Sequence, residues 1–286
     1  NTPGFDPGIP SSSLGGPVPL QRSIDLEMTT SVDNSKKPLA AIILAAGKGT
    51  RMESDLPKVL HPVAGKPMVQ WVVDAVRQAG AERVILVVGH GAQIVQEQIP
   101  GCEYVLQEPQ LGTGHAVLVC KDALADFEGD IVILGGDGPL LRSSTVHDMV
   151  ALQDQTKAAA TLATSSIPDP TGYGRILRTN EDRFAGIMEH KNASPEQLEI
   201  QEVYPSYAVF NSSLLWECLE ELQPNELTNE YYLTEVPEML LHKGHRVEVV
   251  DNVTPEDILS INTPQQLDIV ESVLQARVQT ELEQAS

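Results

Sequence analysis

Two fixed positive charges accompany a glycine-rich turn in this chain. The segment LAAGKGTRMESDLPK covers residues 44–58. Gly47 and Gly49 let backbone N–H groups approach a phosphate closely, because glycine has no side chain to keep the phosphate away. Arg51 and Lys58 can neutralise phosphate charge, including the charge that develops as a phosphoryl bond breaks. The segment therefore predicts a binding site for a nucleoside triphosphate.

The spacing of this segment separates it from two frequent phosphate-binding motifs. The P-loop pattern GxxxxGK[ST] is absent. The dinucleotide fingerprint requires a third glycine, which does not follow Gly47 and Gly49 at the required distance. A lone GxG is typical of any turn between a strand and a loop, so the prediction rests on the longer pattern GxGTRMx4PK.

A carboxylate follows another apolar run, at residues 130–134. The run ends in GGDGPL, which places Asp137 at the end of a predicted strand. A carboxylate there is suited to hold a Mg²⁺ that bridges phosphate oxygens, although a turn or a helix cap is the alternative. Mg²⁺ takes few protein ligands, and Asn262 is a candidate for the second one. On its own, Asn262 fits the cap of a helix starting at Pro264 equally well.

Three other loops could recognise the rest of a substrate. The glutamine amide of Gln107, in the segment QEPQLGTGH, suits the imide edge of a pyrimidine, and a helix entry without a ligand is the alternative. The backbone of Gly174 and the carboxylate of Glu189 suit sugar hydroxyls. Tyr231 and Tyr232 could add an apolar wall. Each of these residues, taken singly, is also compatible with a purely structural role.

The elements that must position these residues alternate between strands and helices. Near-continuous apolar strands of this kind predict a mostly parallel sheet with helices on both faces, and ligands bind at the carboxyl ends of such strands. After residue 164 the pattern predicts a hairpin-rich insertion over the site, at about 165–232. We predict strands at 40–44, 83–88, 104–106, 130–134, 158–164, 175–178, 184–189, 203–211 and 246–250, and helices at 68–78, 92–98, 113–124, 145–155, 212–222, 232–243 and 264–284.

Composition narrows the classes of function. The chain has 286 residues and a net charge of −21, which argues against partners that are nucleic acids or anionic membranes. No apolar stretch is long enough to cross a membrane. The three cysteines have no metal-ligand spacing and predict free thiols in the reducing cytoplasm. Residues 1–37 are rich in Pro, Gly and Ser in their first half, lack a secretory signal and predict disorder, which leaves 38–286 as the folded domain.

A combination of motifs resembles a known family. From about residue 38 to about 275, the chain is similar to the uridyltransferase (pyrophosphorylase) domain of bacterial bifunctional N-acetylglucosamine-1-phosphate uridyltransferases. The resemblance implies a Rossmann-like nucleotidyltransferase fold of the α/β class. It also implies Mg²⁺-dependent joining of UTP and N-acetylglucosamine 1-phosphate into UDP-N-acetylglucosamine and pyrophosphate. The motifs that carry the resemblance are LAAGKGTRM, DLPKVLH, QLGTGHA, DPTGYGRI, EHK and EYYLTE.

The resemblance also implies roles for individual residues. Arg51, Lys58 and Asp137 are the implied catalytic residues, and Asp137 and Asn262 the implied Mg²⁺ ligands. The implied sugar contacts are Gly174, Glu189, Tyr204 and Tyr232. The implied nucleotide contacts are Leu44, Ala46, Gly47, Gly49, Gln107, Gly112 and Thr113.

The chain departs from the family pattern in three places. No hexapeptide repeat of the acetyltransferase domain occurs, so we expect no acetyl transfer and a monomer or weak homo-oligomer. Gly135 and Gly138 flank the Asp137 loop where the family carries larger residues, and we expect a looser loop. Tyr204 stands where the family has an asparagine that contacts the sugar. Because buried hydrogen bonds discriminate strongly between substrates, this change leaves another sugar 1-phosphate open. A nucleotide-sugar-binding regulator without turnover is a further alternative.

Overall fold

The computed structural model describes residues 37–284, and the expectation of disorder in residues 1–37 lies almost wholly outside them. Thirteen strands occur in the described part. They are β1 (Leu39–Leu44), β2 (Pro62–Val63), β3 (Lys66–Pro67), β4 (Arg83–Val88), β5 (Glu103–Leu106), β6 (Asp130–Gly135), β7 (Ala160–Ala163), β8 (Ser165–Ser166), β9 (Gly174–Arg178), β10 (Phe184–Met188), β11 (Glu202–Tyr204), β12 (Ala208–Asn211) and β13 (Val247–Val250).

The same part of the chain contains eight α-helices, and each of them is too short or too polar to span a membrane. They are α1 (Met68–Gln78), α2 (Ala92–Gln98), α3 (Thr113–Leu118), α4 (Ser143–Thr156), α5 (Pro195–Leu198), α6 (Ser212–Glu221), α7 (Val236–His242) and α8 (Pro264–Gln284).

A seven-stranded sheet forms the centre of the described residues, in the order β13-β7-β12-β6-β1-β4-β5. Strand β1 pairs in parallel with β4 and β6, so that Ile42 lies between Ile85 and Ile133. Strand β12 alone runs antiparallel to its two neighbours, β6 and β7. The predicted mixed and mostly parallel sheet is therefore confirmed.

Helices cover both faces of this sheet, which explains why its strands are apolar along their whole length. In β1, Ala41 and Ile43 face a core that includes side chains of α1, α4 and α8. Ala40 and Ile42 face the opposite core, which includes side chains of α3, α6 and α7. Alternate side chains of a strand point to opposite faces, so both sets must be apolar.

A smaller antiparallel sheet, in the order β10-β9-β11-β8, corresponds to the first part of the predicted insertion. The predicted strand at 203–211 is wrong, because it is two strands that belong to the two different sheets. Pro205 has no N–H to donate between them, and Ser206 has a left-handed φ of 67°. The chain therefore turns at 205–207 and passes from the small sheet into the large one.

Two predicted helices are shorter than expected. After α3, the backbone of residues 119–124 tightens, and a 3₁₀ turn covers Asp122–Leu124. Cys120 N–H bonds the carbonyl three residues earlier, on Val117, which is the 3₁₀ pattern. The helix predicted at 232–243 begins with the 3₁₀ turn Leu233–Glu235, and Pro237 occupies the first turn of α7. Proline fits a first turn, but it removes a hydrogen bond from a helix interior.

The three cysteines are free thiols, as the sequence predicts. Cys120 and Cys218 are buried, whereas Cys102 is half-buried. Burial raises the pKa of the Cys120 thiol to about 12. This thiol therefore stays protonated and unreactive at neutral pH.

A buried carboxyl group lies at the start of β6, away from the loops that follow the strands. Asp130 is 1% exposed, and its Oδ1 accepts a hydrogen bond of 2.9 Å from Nε2 of the fully buried Gln153. Asp130 Oδ2 and Gln153 Oε1 are buried without a hydrogen-bond partner. Burial raises the pKa of Asp130, while the Lys37 ammonium, 3.9 Å from Oδ2, opposes the shift. Asp130 therefore binds its proton more tightly in the folded protein than in the unfolded chain.

We expect Asp130→Asn to stabilise the protein relative to the parent as the pH rises. A folded-state pKa above the unfolded value gives stability that is lost when the pH rises through the folded pKa. The asparagine amide keeps an acceptor and adds a donor at all pH values, so its advantage over the parent should grow between pH 3.5 and pH 8. Urea unfolding at both pH values measures this change in the free energy of unfolding. The exposed Asp148, also on α4, gives the control Asp148→Asn. The same dependence of stability on pH in the parent and in Asp130→Asn would contradict a raised pKa of Asp130.

Candidate active site

A cleft of about 800 Å³ lies between the carboxyl ends of β1, β5 and β6 and the small sheet. It brings together all but two of the site residues that the sequence predicts. Its walls contain Leu44, Ala46, Gly47, Arg51, Lys58, Gln107, Gly112, Thr113, Asp137, Gly174, Glu189, Tyr204, Tyr232 and Asn262.

Gly49 and Tyr231 are the exceptions, and the predicted contact of Gly49 with the nucleotide stays a prediction. The φ of Gly49 is +61°, a conformation that favours glycine, and an added Cβ would stand 2.5 Å from the Cβ of Lys58. Gly49 makes room for the backbone of Lys58 to approach the turn.

Four side chains from three distant parts of the sequence meet in the cleft. Lys58 Nζ lies 2.6 Å from Asp137 Oδ2 and 3.0 Å from Asn262 Oδ1. Arg51 Nη2 donates to the same Asn262 oxygen at 3.0 Å. Asn262 is oriented in turn, because its backbone N–H donates to Gln266 Oε1 at 2.8 Å and its Nδ2 donates to Ser260 at 3.2 Å. The positive groups of Arg51 and Lys58 thus meet the side-chain oxygen atoms of Asp137 and Asn262 at one point of the cleft.

The two oxygens fit a divalent cation. Asp137 Oδ2 and Asn262 Oδ1 already converge on one positive group, the Lys58 ammonium. Both are hard oxygen donors, and Mg²⁺ is typically bound by one or two protein groups together with water and phosphate oxygens. The described residues contain no group of three or more His, Cys, Asp or Glu that could hold a metal. A Mg²⁺ in this cleft would therefore take its other ligands from water and phosphate oxygens.

The glycines beside Asp137 do not loosen its loop, contrary to the expectation from the sequence. A Cβ on Gly135 would lie 2.6 Å from Asp137 Oδ1, so this glycine provides the space for the carboxylate. A Cβ on Gly138 would lie 2.5 Å from the hydroxyl of Tyr207, which is 2% exposed and donates to the Asp257 carbonyl at 3.3 Å. A buried tyrosine therefore fills the space beside the loop.

Backbone hydrogen bonds hold the same loop from both sides. Gly136 N–H donates to the Leu44 carbonyl at 2.9 Å, and Ile261 N–H donates to the Asp137 carbonyl at 2.9 Å. These bonds join the loop to the end of β1 and to the segment that carries Asn262. Tyr207 could not be recognised from the sequence as part of this arrangement, because no motif relates it to a glycine 69 positions earlier.

The fit of Gly138 against Tyr207 leads to a double-mutant prediction. Gly138→Ala should lower the free energy of unfolding by about 1–3 kcal/mol, because the new methyl group overlaps the Tyr207 hydroxyl. In a Tyr207→Phe background the next atom, Tyr207 Cζ, is 3.5 Å from that Cβ, an ordinary contact. In that background, Gly138→Ala should change the free energy of unfolding only slightly. Urea denaturation of the four proteins measures the coupling, and strictly additive effects would contradict the packing described here.

Gln107 lies on the side of the cleft where the sequence predicts the base. Its side chain forms hydrogen bonds within its own loop. Its Nε2 donates to the Gly112 carbonyl at 2.9 Å and lies 3.2 Å from His115 Nδ1. Both N–H groups are engaged within the loop, so this side chain offers a ligand its acceptor Oε1. Burial lowers the pKa of His115, which favours the neutral imidazole beside Gln107.

The loop that holds Gly112 and Thr113 is fastened to the segment EYYLTE. Thr113 Oγ1 accepts from Leu233 N–H at 3.0 Å, and Gly114 N–H donates to the Tyr231 carbonyl at 2.8 Å. Gly112 has a φ of +102°, and a Cβ there would lie 2.6 Å from the Tyr231 carbonyl oxygen. The loop that is predicted to face the base and the segment that is predicted to face the sugar therefore share one backbone framework.

On the side where the sequence predicts the sugar, Glu189 and Tyr204 are neighbours. Glu189 Oε1 accepts from Thr234 Oγ1 at 2.9 Å. Tyr204 is 4% exposed, and its hydroxyl has no hydrogen-bond partner among the described residues. Burial, and secondarily the Glu189 charge, raise the pKa of Tyr204, so its hydroxyl remains protonated. Tyr232 bonds Thr228 at 2.7 Å, and the Lys191 ammonium lies 5.2 Å from the centre of its ring.

Curated relatives match most of this chain. It is 42% identical over 241 residues to the bifunctional protein GlmU of Alkaliphilus metalliredigens, which covers 84% of this chain and 53% of that protein. It is also 42% identical over 239 residues to the bifunctional protein GlmU of Halalkalibacterium halodurans. That match covers 83% of this chain and 52% of the relative. The chain therefore spans about half the length of these relatives.

Solved structures with the same fold are more distant in sequence. A UDP-glucose pyrophosphorylase complexed with UDP-glucose superposes with a TM-score of 0.69 at 17% identity, covering 84% of this chain and 99% of that one. A putative glucose-1-phosphate thymidylyltransferase from Bacillus anthracis superposes with a TM-score of 0.67 at 20% identity. The superposition covers 82% of this chain and 94% of that one. These likenesses confirm the Rossmann-like nucleotidyltransferase fold.

A model of a protein family also matches this chain. The model described as the MobA-like NTP transferase domain matches residues 41–197. This range includes the glycine-rich turn, Asp137 and Glu189. Together with the GlmU relatives, the match confirms the family resemblance that the sequence motifs predict. The chain therefore belongs to the family of MobA-like NTP transferase domains, and it is a nucleotidyltransferase of the GlmU type.

Proposed function

We propose that this protein transfers a uridylyl group from UTP to N-acetylglucosamine 1-phosphate, with release of pyrophosphate and with Mg²⁺ as cofactor. The observation that carries the proposal is the meeting of Arg51, Lys58, Asp137 and Asn262 at one point of the cleft. This point lies between the glycine-rich turn and the loops that carry Gly174 and Glu189. A triphosphate and a sugar phosphate can therefore reach the same cationic centre from opposite sides.

The proposed reaction needs no protein nucleophile. A phosphate oxygen of the sugar phosphate attacks the α-phosphorus of UTP, and a new P–O bond forms. The bond from the α-phosphorus to the oxygen that bridges it to the β-phosphate breaks, and pyrophosphate leaves with that electron pair. Arg51 and Lys58 neutralise the charge on the phosphates and hold them in line. When bound by Asp137 and Asn262, Mg²⁺ supplies further positive charge to phosphate oxygens.

Recognition of the two substrates is proposed to be divided between the two sides of the cleft. The Oε1 atom of Gln107 and the backbone at Gly112 and Thr113 face the base of UTP. Gly174, Glu189 and Tyr204 face the sugar, with Tyr232 beside them. The resemblance of the motifs to the uridyltransferase domain of N-acetylglucosamine-1-phosphate uridyltransferases supports N-acetylglucosamine 1-phosphate as acceptor. The net charge of −21 supports small-molecule partners over nucleic acid, and we propose a cytoplasmic location.

A different sugar 1-phosphate is the second candidate, and Tyr204 is the observation that favours it. A buried phenol has replaced the family's asparagine at the sugar side, and it has no hydrogen-bond partner among the described residues. The relatives of known structure include a UDP-glucose pyrophosphorylase. A regulator without turnover is less well supported, because binding alone does not require both cations and the Asp137 carboxylate.

The proposal is tested by pyrophosphate release with UTP and Mg²⁺ against a panel of sugar 1-phosphates. N-acetylglucosamine, glucose, galactose and glucosamine 1-phosphates form the panel, with dTTP and CTP replacing UTP as nucleotide controls. Preference for N-acetylglucosamine 1-phosphate supports the proposal. Preference for another sugar supports the second candidate. No release with any pair, while UTP still binds in calorimetry, would refute both.

A further inference from the structure

Arg175, at the second position of β9, is a buried cation without a counter-ion in the described residues. It is 1% exposed, and no carboxylate lies within ion-pair distance of it in that part of the chain. Its Nη1 donates to the Tyr173 carbonyl, and its Nη2 lies 3.3 Å from His190 Nδ1. Arginines buried to this extent are usually paired with an acid, so the contacts that Arg175 does form require an explanation.

His190 receives two donors at one nitrogen. The backbone N–H of Gly172 also donates to His190 Nδ1, at 3.3 Å. A guanidinium group and a backbone N–H can only donate, so Nδ1 must present its lone pair. His190 is therefore a neutral imidazole with its proton on Nε2, a tautomer that is fixed by its neighbours.

These contacts join the loop that precedes β9 to the turn that follows β10, at the end where the two strands pair and Arg175 stands opposite Met188. Residues 171–174 line the cleft, and Gly172 there adopts a left-handed φ of +88°. His190 begins the turn that follows β10 and is the immediate neighbour of Glu189, which also lines the cleft. Arg175 therefore bonds the loop at Tyr173 and the turn at His190, while His190 bonds back to Gly172.

We infer that Arg175 and His190 are positioning residues for the sugar 1-phosphate. They hold Gly174 and Glu189, which face the sugar in the function proposed above, in one fixed relative arrangement. The inference rests on that proposed function for the identity of the ligand. Arginine suits the role because its rigid planar fork reaches two acceptors in different directions, which a lysine ammonium on a flexible stem does not reproduce.

The test separates the two substrates kinetically. His190→Leu removes the acceptor, and it should raise KM for the sugar 1-phosphate about tenfold, because misplaced walls weaken binding of that substrate. KM for UTP should change by less than about twofold, because neither residue contacts the triphosphate side of the cleft. His190→Asn keeps an acceptor near the Nδ1 position and should restore most of the affinity. The exposed His147 on α4 gives the matched control His147→Leu.

A second measurement does not depend on a variant that folds. Long-range ¹H–¹⁵N correlation spectra of the intact wild-type protein should show His190 as the Nε2–H tautomer at pH 7.5. A protonated Nδ1 would overturn the inference, as would equal changes in both KM values for His190→Leu.

The failure of the proposed function would give a different result. In that case the wild-type protein would release no pyrophosphate with any sugar 1-phosphate. Calorimetry would then compare the affinity of N-acetylglucosamine 1-phosphate for wild-type protein, His190→Leu and His190→Asn. A selective loss in His190→Leu would support the positioning role without turnover, and equal affinities or no binding would overturn it.

Discussion

Asp137→Asn is expected to lower the rate of pyrophosphate release by about 1,000-fold, which corresponds to about 4 kcal/mol of transition-state stabilisation. Asparagine has nearly the same shape as aspartate, so the loop and its backbone bonds to Leu44 and Ile261 should persist. The change removes the negative charge that holds the Lys58 ammonium at 2.6 Å and that would attract a divalent cation. Steady-state kinetics with saturating UTP and sugar 1-phosphate measure the effect.

Binding of UTP separates this loss from unfolding. The variant should bind UTP in calorimetry with an affinity within about tenfold of the parent, because the glycine-rich turn and Arg51 remain. The exposed Asp148 on α4 gives Asp148→Asn as a control with the same chemical change. A rate for Asp137→Asn within tenfold of the parent would mean that the carboxylate has no part in the reaction.

Lys58→Met is expected to have two opposite effects, which makes it the second informative variant. Turnover should fall about 100-fold, because a fixed positive group beside the phosphates is lost. The affinity of the nucleotide-free protein for Mn²⁺ should rise by about tenfold or more, because the ammonium now lies between Asp137 Oδ2 and Asn262 Oδ1. Relaxation enhancement of water protons measures Mn²⁺ binding without any turnover.

The control for this variant is Lys121→Met, which removes a half-buried lysine that pairs with Glu220 outside the cleft. It should change neither turnover nor Mn²⁺ binding. The double variant Lys58→Met with Asp137→Asn should lose the gain in Mn²⁺ affinity. If Lys58→Met bound Mn²⁺ no better than the parent, the ammonium and the metal would occupy different positions.

Much of the fold follows from hydrophobic pattern alone. The helices at 68–78 and 92–98 and the strand at 83–88 have the predicted bounds, because each is an uninterrupted pattern between clear breakers. The strand predicted at 203–211 failed at Pro205 and Ser206. The apolar residues on both sides of these two are equally strand-like, and pattern does not reveal that they pair with different partners.

The sequence predicts which loops form the candidate site, but it does not predict the hydrogen bonds and packing contacts within it. The rule that ligands bind at the carboxyl ends of parallel strands correctly places the loops of Gly47, Gln107 and Asp137 around one cleft. The engagement of both Gln107 N–H groups within its own loop depends on side-chain orientation, which no spacing encodes. The role of Gly138 likewise depends on a tyrosine 69 positions away.

The short connection at 205–207 has a consequence for how this domain can diverge. It joins Tyr204, on the sugar side of the cleft, to Tyr207, which supports the Asp137 loop. Both flanking strands are fixed by pairing, β11 in the small sheet and β12 in the large one. An insertion or deletion here would move the Tyr207 hydroxyl away from Gly138. Related sequences should therefore vary this connection by substitution at constant length, with positions 138 and 207 changing together.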